Sequence, residues 1–288
     1  MANLIHCQDK YVCFEGLVEF LLSLFYLFYL IICFRILIKD KSGVVIQNDK
    51  YLCFAALIQI LLQTIYFLYF YNDFLLTTIR CLGIAMQIMF CNILGTIVAD
   101  EIQTPRVWQL AKLLLVCTFI LWYWFGIAHQ SSIDYNCIQA DYLILSSIGL
   151  FLAGGSFFLG NFALTSMIDF KNSLEVSRSG HIQIQSNNKI YEQVLMRIQQ
   201  VTLMHYCGLI QFGVQFTFDL FTYVSSQNSN QCTNYYNAAS FLSIILLTIF
   251  KLVSFTTMPA TIFYIFYEMN KNKIQENENN IIEMNITQ

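Results

Sequence analysis

Seven blocks of almost uninterrupted apolar residues follow one another along this chain, separated by polar breaks. Soluble helices and strands alternate apolar with polar residues at the period of the element; here the apolar residues run on. A block of about 20 such residues is long enough to cross the hydrocarbon core of a bilayer as a helix. That core has no water for backbone N–H and C=O groups, so each block must satisfy its own hydrogen bonds and be helical. A membrane β-barrel needs short segments of alternating polarity, and none is seen. Composition agrees: 57% of residues are hydrophobic and 11% charged, where a soluble domain carries about 25% charged residues. So few charges cannot cover a water-facing surface.

The sequence predicts an all-α membrane protein, a seven-transmembrane helix bundle. The expected helices are 14–38, 51–71, 74–98, 107–128, 142–168, 194–221 and 238–267, in a single domain 1–267, with a polar tail at 268–288. Residues 1–13 are polar and show no cleavable signal peptide, so the first helix is expected to act as its own insertion signal. A net charge of −3 excludes a strongly basic nucleic-acid binder.

Lys and Arg residues set the orientation. Arg35, Lys39, Lys41 and Lys50 flank the first loop, Arg106 and Lys112 the third, and Lys171, Arg178, Lys189 and Arg197 the fifth; Lys271 and Lys273 lie in the tail. The alternate faces hold only Lys10 and Arg80. The odd loops and the C-terminus are therefore expected in the cytosol and the N-terminus outside. Cys7, Cys13, Cys81, Cys137 and Cys232 then fall on the outer face, where the compartment favours disulfides. Cys137 and Cys232 are expected to be bonded, Cys232 to Cys7 or Cys13.

A charged residue deep in a membrane helix is costly and marks a site by default. Lys251 lies in the seventh block. It can form an ion pair, serve a proton or ion relay, or hold retinal as a Schiff base; the last needs a carboxylate counter-ion, and the third block has none within its span. Glu19 is its expected partner, because first and last helices adjoin in a closed bundle. Lys251, Glu19 and His205 thus make a candidate intramembrane polar site. Arg80 and Asp219, with Asp73, Glu15 and Glu19, are a candidate outer vestibule, or simply solvated interfacial residues. Asn92, Asn161 and His205 are expected to make interhelical hydrogen bonds. His205 has no second ligand at metal spacing. Gly149, Ala153, Ser156, Gly160 and Ala163 share one face of the fifth helix, the pattern of a close packing seam. Phosphate-loop, HExxH and GxSxG patterns are absent, so neither enzyme activity nor a cofactor is expected.

Seven helices with outer cysteines resemble the receptor-type seven-helix superfamily. There Cys81 and Cys137 stand where a bond commonly joins the third helix to the loop before the fifth, which implies a Cys81–Cys137 bridge. The signatures depart: Ala99-Asp100-Glu101 replaces Asp-Arg-Tyr, and Met258-Pro259-Ala260-Thr261-Ile262-Phe263 keeps only the proline of the seventh-helix motif. A second set of motifs resembles the plant tobamovirus-multiplication family of seven-pass proteins. These are Phe151-Leu-Ala-Gly-Gly-Ser-Phe-Phe-Leu-Gly160 in the fifth helix, Val98-Ala99-Asp100-Glu101-Ile102 closing the third, and Pro259 in the seventh. That resemblance implies a non-enzymatic protein of endomembranes that recruits partners; Lys251 has no counterpart in it. The expected function is receptor-like or scaffold-like. The alternative is a small transporter or channel that uses the intramembrane polar residues. Expected partners are the lipid bilayer, a cytosolic protein at the polar 169–193 loop and a small-molecule ligand. Plasma membrane and endomembrane remain alternatives.

Overall fold

A computed structural model describes residues 10–39, 47–69, 73–102, 106–131, 140–179, 184–229 and 241–271. Among them are seven α-helices, one 3₁₀ turn and no strand. The helices are α1 (Lys10–Lys39), α2 (Gln47–Tyr69), α3 (Asp73–Ile102), α4 (Arg106–Ser131), α5 (Asp141–Ser179), α6 (Ile184–Ser229) and α7 (Phe241–Phe266), with the 3₁₀ turn at Glu268–Asn270. Five hold runs long and apolar enough to cross a membrane: Cys13–Ile38, Lys50–Phe67, Phe74–Ile93, Asp141–Ser173 and Ile244–Asn270. The apolar run of α4, Lys112–Phe125, is shorter. α6 is long but carries Gln199, Gln200, His205, Gln211, Gln215 and Asp219 along its length.

Polarity is inverted relative to a soluble protein. Phe25, Phe151 and Phe158 are 72%, 81% and 76% exposed, while Gln59, Gln63 and Gln211 are each 1% exposed. Large aromatic side chains turned outward around a polar interior fit hydrocarbon surroundings. Water would favour the reverse by about 25 cal/mol per Å² of apolar surface. These features are compatible with a multi-pass integral membrane protein. Many threonine hydroxyls settle their needs within their own helices: Thr64, Thr78, Thr118, Thr202, Thr256, Thr257 and Thr261 each donate to the carbonyl four residues earlier. This back-bonding lets hydroxyls sit in apolar helices without an interhelical partner.

Side-chain contacts fix the register. Gln215 meets Ser254, Gln211 meets Met258 and Gln200 meets Ile265, so α6 and α7 run antiparallel. Gly149 faces Phe212 and Gly160 faces His205, so α5 and α6 are antiparallel too. Glu15 reaches Lys251 and Tyr29 reaches Glu268, so α1 and α7 are parallel. One apolar cluster gathers Leu30, Leu37, Leu52, Ile60, Met86, Met258 and Phe263 from α1, α2, α3 and α7. The other gathers Ile79, Ile84, Leu145 and Phe212 from α3, α5 and α6.

The small-residue face of α5 is the seam expected from its spacing. Gly149, Ala153, Ser156, Gly160 and Ala163 are all buried. A methyl on Gly160 would lie 1.6 Å from the His205 ring, and one on Gly149 would lie 2.2 Å from the Phe212 ring. Gly160→Ala and Gly149→Ala are therefore expected to destabilise the bundle by about 1–3 kcal/mol each, the range for overpacking a tight core. Gly154 and Gly155 meet nothing within 4 Å. Alanine there should be neutral or stabilise by about 0.5–1 kcal/mol through helix propensity. Thermal unfolding in nanodiscs compares the four; equal effects would mean that α5 and α6 do not approach this closely.

The stretch 169–193 corrects the sequence expectation of a long loop. α5 continues to Ser179 and α6 begins at Ile184. Polar residues end an apolar span but do not end a helix. That takes a stop signal, and the first one here is Gly180, at the position glycine favours after a helix. At 1.5 Å per residue the 39 residues of α5 and 46 of α6 reach well beyond a hydrocarbon core of about 30 Å. Tyr191 donates to Glu175 at 2.7 Å across this extension, and Lys171 sits 3.3 Å from Glu175.

Candidate functional site

Many of the buried polar residues gather in three groups that tie α7 and α6 to the rest of the bundle.

The first joins α1 to α7. Glu15 and Glu19 are four residues apart, so both project from one face of α1. Lys251 Nζ donates to Glu15 Oε1 at 2.8 Å and lies 3.3 Å from Glu19 Oε1. The three residues are 0%, 1% and 6% exposed. Lys251 and Glu19 thus meet as expected. Glu15, expected with the outer vestibule, belongs to Lys251 instead, because the helical repeat puts it on Glu19's face. Glu15 Oε2 and Glu19 Oε1 have no hydrogen-bond donor in the structure.

The second joins α3 to α6. Arg80 Nη1 and Nη2 donate to Asp219 Oδ2 and Oδ1 at 2.5 and 2.9 Å. This two-pronged geometry is the strongest that guanidinium and carboxylate can adopt. The Tyr142 ring of α5 packs on the guanidinium at 4.4 Å, and the Tyr142 carbonyl accepts from Nη1 at 3.5 Å. Both residues are 3% exposed, so they are neither solvated interfacial residues nor an open vestibule. The side chain of Asp73 lies outside the described ones.

The third is a glutamine clasp on α7. Pro259 lies inside α7 and has no N–H, so the Phe255 carbonyl loses its usual partner four residues on. Gln59 of α2 supplies the donor at 2.8 Å. Gln215 of α6 donates to the Ser254 carbonyl at 2.5 Å, and Gln211 accepts the Met258 N–H at 2.7 Å. Three glutamines from two helices thus satisfy the backbone on one turn of α7. Other buried polar atoms are left over: neither amide atom of Gln63 has a partner, nor do Ser23 Oγ, Thr248 Oγ1 and Ser254 Oγ.

His205 does not join Lys251. Its Nδ1 contacts the Val201 carbonyl at 2.7 Å and its Nε2 the Ser156 carbonyl at 2.5 Å. Phe90 and Phe157 present their rings edgewise to it. Gln87 donates to Ser156 Oγ at 2.6 Å, which adds α3 to this contact. Asn92 is buried but its Oδ1 has no partner, in place of the expected interhelical hydrogen bond; Asn161 is exposed, one position round from the Gly160 seam.

Cys81 corrects the disulfide expectation. It is a free cysteine, 5% exposed, packed in the interior with Ile79, Ile84 and Tyr142. It faces the core rather than the loop before α5, so the Cys81–Cys137 bridge does not form. Cys13 is disulfide-bonded. Cys7, Cys137 and Cys232 lie outside the described residues. Sequence reasoning found the charged residues but missed the glutamines, whose signal was buried amides in apolar helices together with a lone helix proline.

Family models, curated proteins and solved structures give no match to this chain. The functional reading therefore rests on the residues themselves.

Proposed function

We propose that this chain is a non-enzymatic, receptor-like seven-pass membrane protein, N-terminus outside and C-terminus in the cytosol, that relays helix movements to a cytosolic partner. The observation that carries this reading is the polar clasp around Pro259. A helix that loses a backbone hydrogen bond at a proline and is held there by side chains of two neighbours is suited to a second packing: a shift of α6 against α7 would exchange the Gln211 and Gln215 hydrogen bonds together. Discrete alternative packings of this kind are what switching proteins use. Lys251 fixes the segment before Pro259 to α1, and Arg80–Asp219 fixes α6 to α3. The helical hairpin formed by the ends of α5 and α6 is the proposed partner surface, since α6 is continuous from the clasp to that hairpin. The basic flanks of the odd loops support the orientation. The fifth-helix motif 151–160 and Pro259 support kinship with the tobamovirus-multiplication family and its recruiting role.

A small transporter is the second reading. One observation favours it: buried charged residues within membrane helices, here Glu15, Glu19 and Lys251, often mark ion or substrate pathways. Purified protein in liposomes separates the two. The receptor-like reading expects stimulated nucleotide exchange on G proteins, or capture of a cytosolic partner that depends on the α5–α6 hairpin. Solute flux without either would overturn it.

A further inference from the structure

We propose that the Glu15–Glu19–Lys251 cluster is a proton-binding site, with one exchangeable proton shared by the two carboxyl groups at the contact between α1 and α7. The inference holds whether the protein signals or transports. Its first ground is hydrogen-bond chemistry. Both carboxyl groups converge on one ammonium, Lys251 Nζ, at 2.8 Å from Glu15 Oε1 and 3.3 Å from Glu19 Oε1, and an ionised carboxylate can only accept. Two carboxyl groups gathered on one ammonium can bond to each other only when one of them carries a proton. Glu15 Oε2, buried and without a donor, is an oxygen on which such a proton would sit.

The second ground is charge. Two carboxylates and one ammonium, all buried, would leave one uncompensated negative charge inside an apolar bundle. Such a charge is neutralised by uptake of a proton far more cheaply than it is held. Two carboxylates in one site behave this way generally, with one binding its proton strongly. No other described cation is positioned to compensate. α2, the other helix packed on α1, buries Gln59, Gln63 and Thr64 and fully buries no charged residue; its described cation, Lys50, is half-buried near the start of α2. Asp219 and Arg80 engage each other. With the proton bound, the cluster is neutral. When the proton leaves to water, two carboxylates share one ammonium and repel each other across a single helical turn. The α1–α7 contact then weakens, so stability due to this site is present at lower pH and lost as pH rises through its titration.

The experiment is infrared pH-difference spectroscopy on the protein in nanodiscs, with circular dichroism as the check on folding. The wild type is expected to show a protonated-carboxyl C=O band at neutral pH that moves down in D₂O and disappears on alkalinisation. Glu15→Gln and Glu19→Gln should each lose that band, because an amide keeps the hydrogen bond without needing the proton. Either folded variant suffices for this comparison. The alkaline fall in melting temperature seen for the wild type should flatten in the same variants. A wild type without a titrating carboxyl band overturns the proposal, as does a band that persists undiminished in a folded amide variant. Stability that tracks sodium concentration at fixed pH instead of the proton also overturns it, since the cluster would then hold a metal cation.

Discussion

Asp219→Asn is expected to destabilise the protein by about 3–5 kcal/mol, the cost of leaving a buried charge without its partner. Arg80 is 3% exposed and its two Nη atoms are committed to Asp219. An asparagine can accept one of those bonds but cannot balance the charge. The Tyr142 ring at 4.4 Å softens the loss without replacing a carboxylate, since a cation–π contact is worth about 0.5–2 kcal/mol. Arg80→Met should cost a similar amount by stranding Asp219. The pair Arg80→Met with Asp219→Leu removes both charges and is expected to be much milder than the sum of the singles, because apolar replacements of a buried ion pair are often near neutral. A four-protein cycle by denaturant or thermal unfolding in nanodiscs measures this. Additive single effects would mean that the two residues are not coupled and that the α3–α6 tie is not ionic.

Much of the fold was legible because a bilayer imposes a simple rule: an apolar block must be a helix. The blocks gave the existence and order of the helices. They did not give where α5 and α6 end, since polarity marks the edge of an apolar span and not the end of a helix. Residues Asp169 to Ser179 are mostly polar yet contain neither glycine nor proline, and the helix runs through them.

Lys251 and Glu19 were legible as partners because first and last helices must adjoin when a bundle closes. Glu15 was equally legible in principle from its i, i+4 relation to Glu19. Assigning it by depth along the chain, instead of by helical face, put it in the wrong group. Arg80 and Asp219 were seen individually, but their burial was not, because position near a helix end suggests solvent and only tertiary packing decides. Cys81 misled for a different reason: its place at the start of a helix resembles a receptor pattern, while the direction of its side chain follows from the α3 face, which points inward. On α6, Gln211, Gln215, Asp219 and Thr222 recur at spacings of four, four and three and are all buried. That periodicity, a polar stripe on an otherwise apolar helix, was the available signal that α6 faces a polar interior. What the stripe grips could not be read from the chain, since it depends on which turn of α7 lies opposite.

The grip on Pro259 yields the last expectation. Gln59→Leu removes the donor to the Phe255 carbonyl and leaves that buried oxygen unsatisfied, at a cost of about 1–3 kcal/mol. Pro259→Ala restores a backbone N–H at the position from which an α-helix bonds that same oxygen. In a Pro259→Ala background the helix can supply its own donor, and Gln59→Leu is expected to become nearly silent. The coupling between the two changes should therefore approach the whole cost of the single glutamine variant, well above the roughly 0.3–0.5 kcal/mol within which independent sites add. Gln211→Leu is the contrasting case. Its partner is the Met258 N–H, which proline at 259 does not abolish, so its cost should persist with alanine there. Melting temperatures of the five proteins in nanodiscs, with the wild type, decide between these outcomes. If Gln59→Leu costs as much with alanine at 259 as with proline, Gln59 stabilises the bundle by some route other than completing the α7 backbone. If the coupling is found, Pro259→Ala also becomes a handle on function: it restores the missing backbone hydrogen bond of α7 while leaving Lys251, Arg80 and Asp219 in place, and a protein that relays movement through that turn should lose its output while remaining folded.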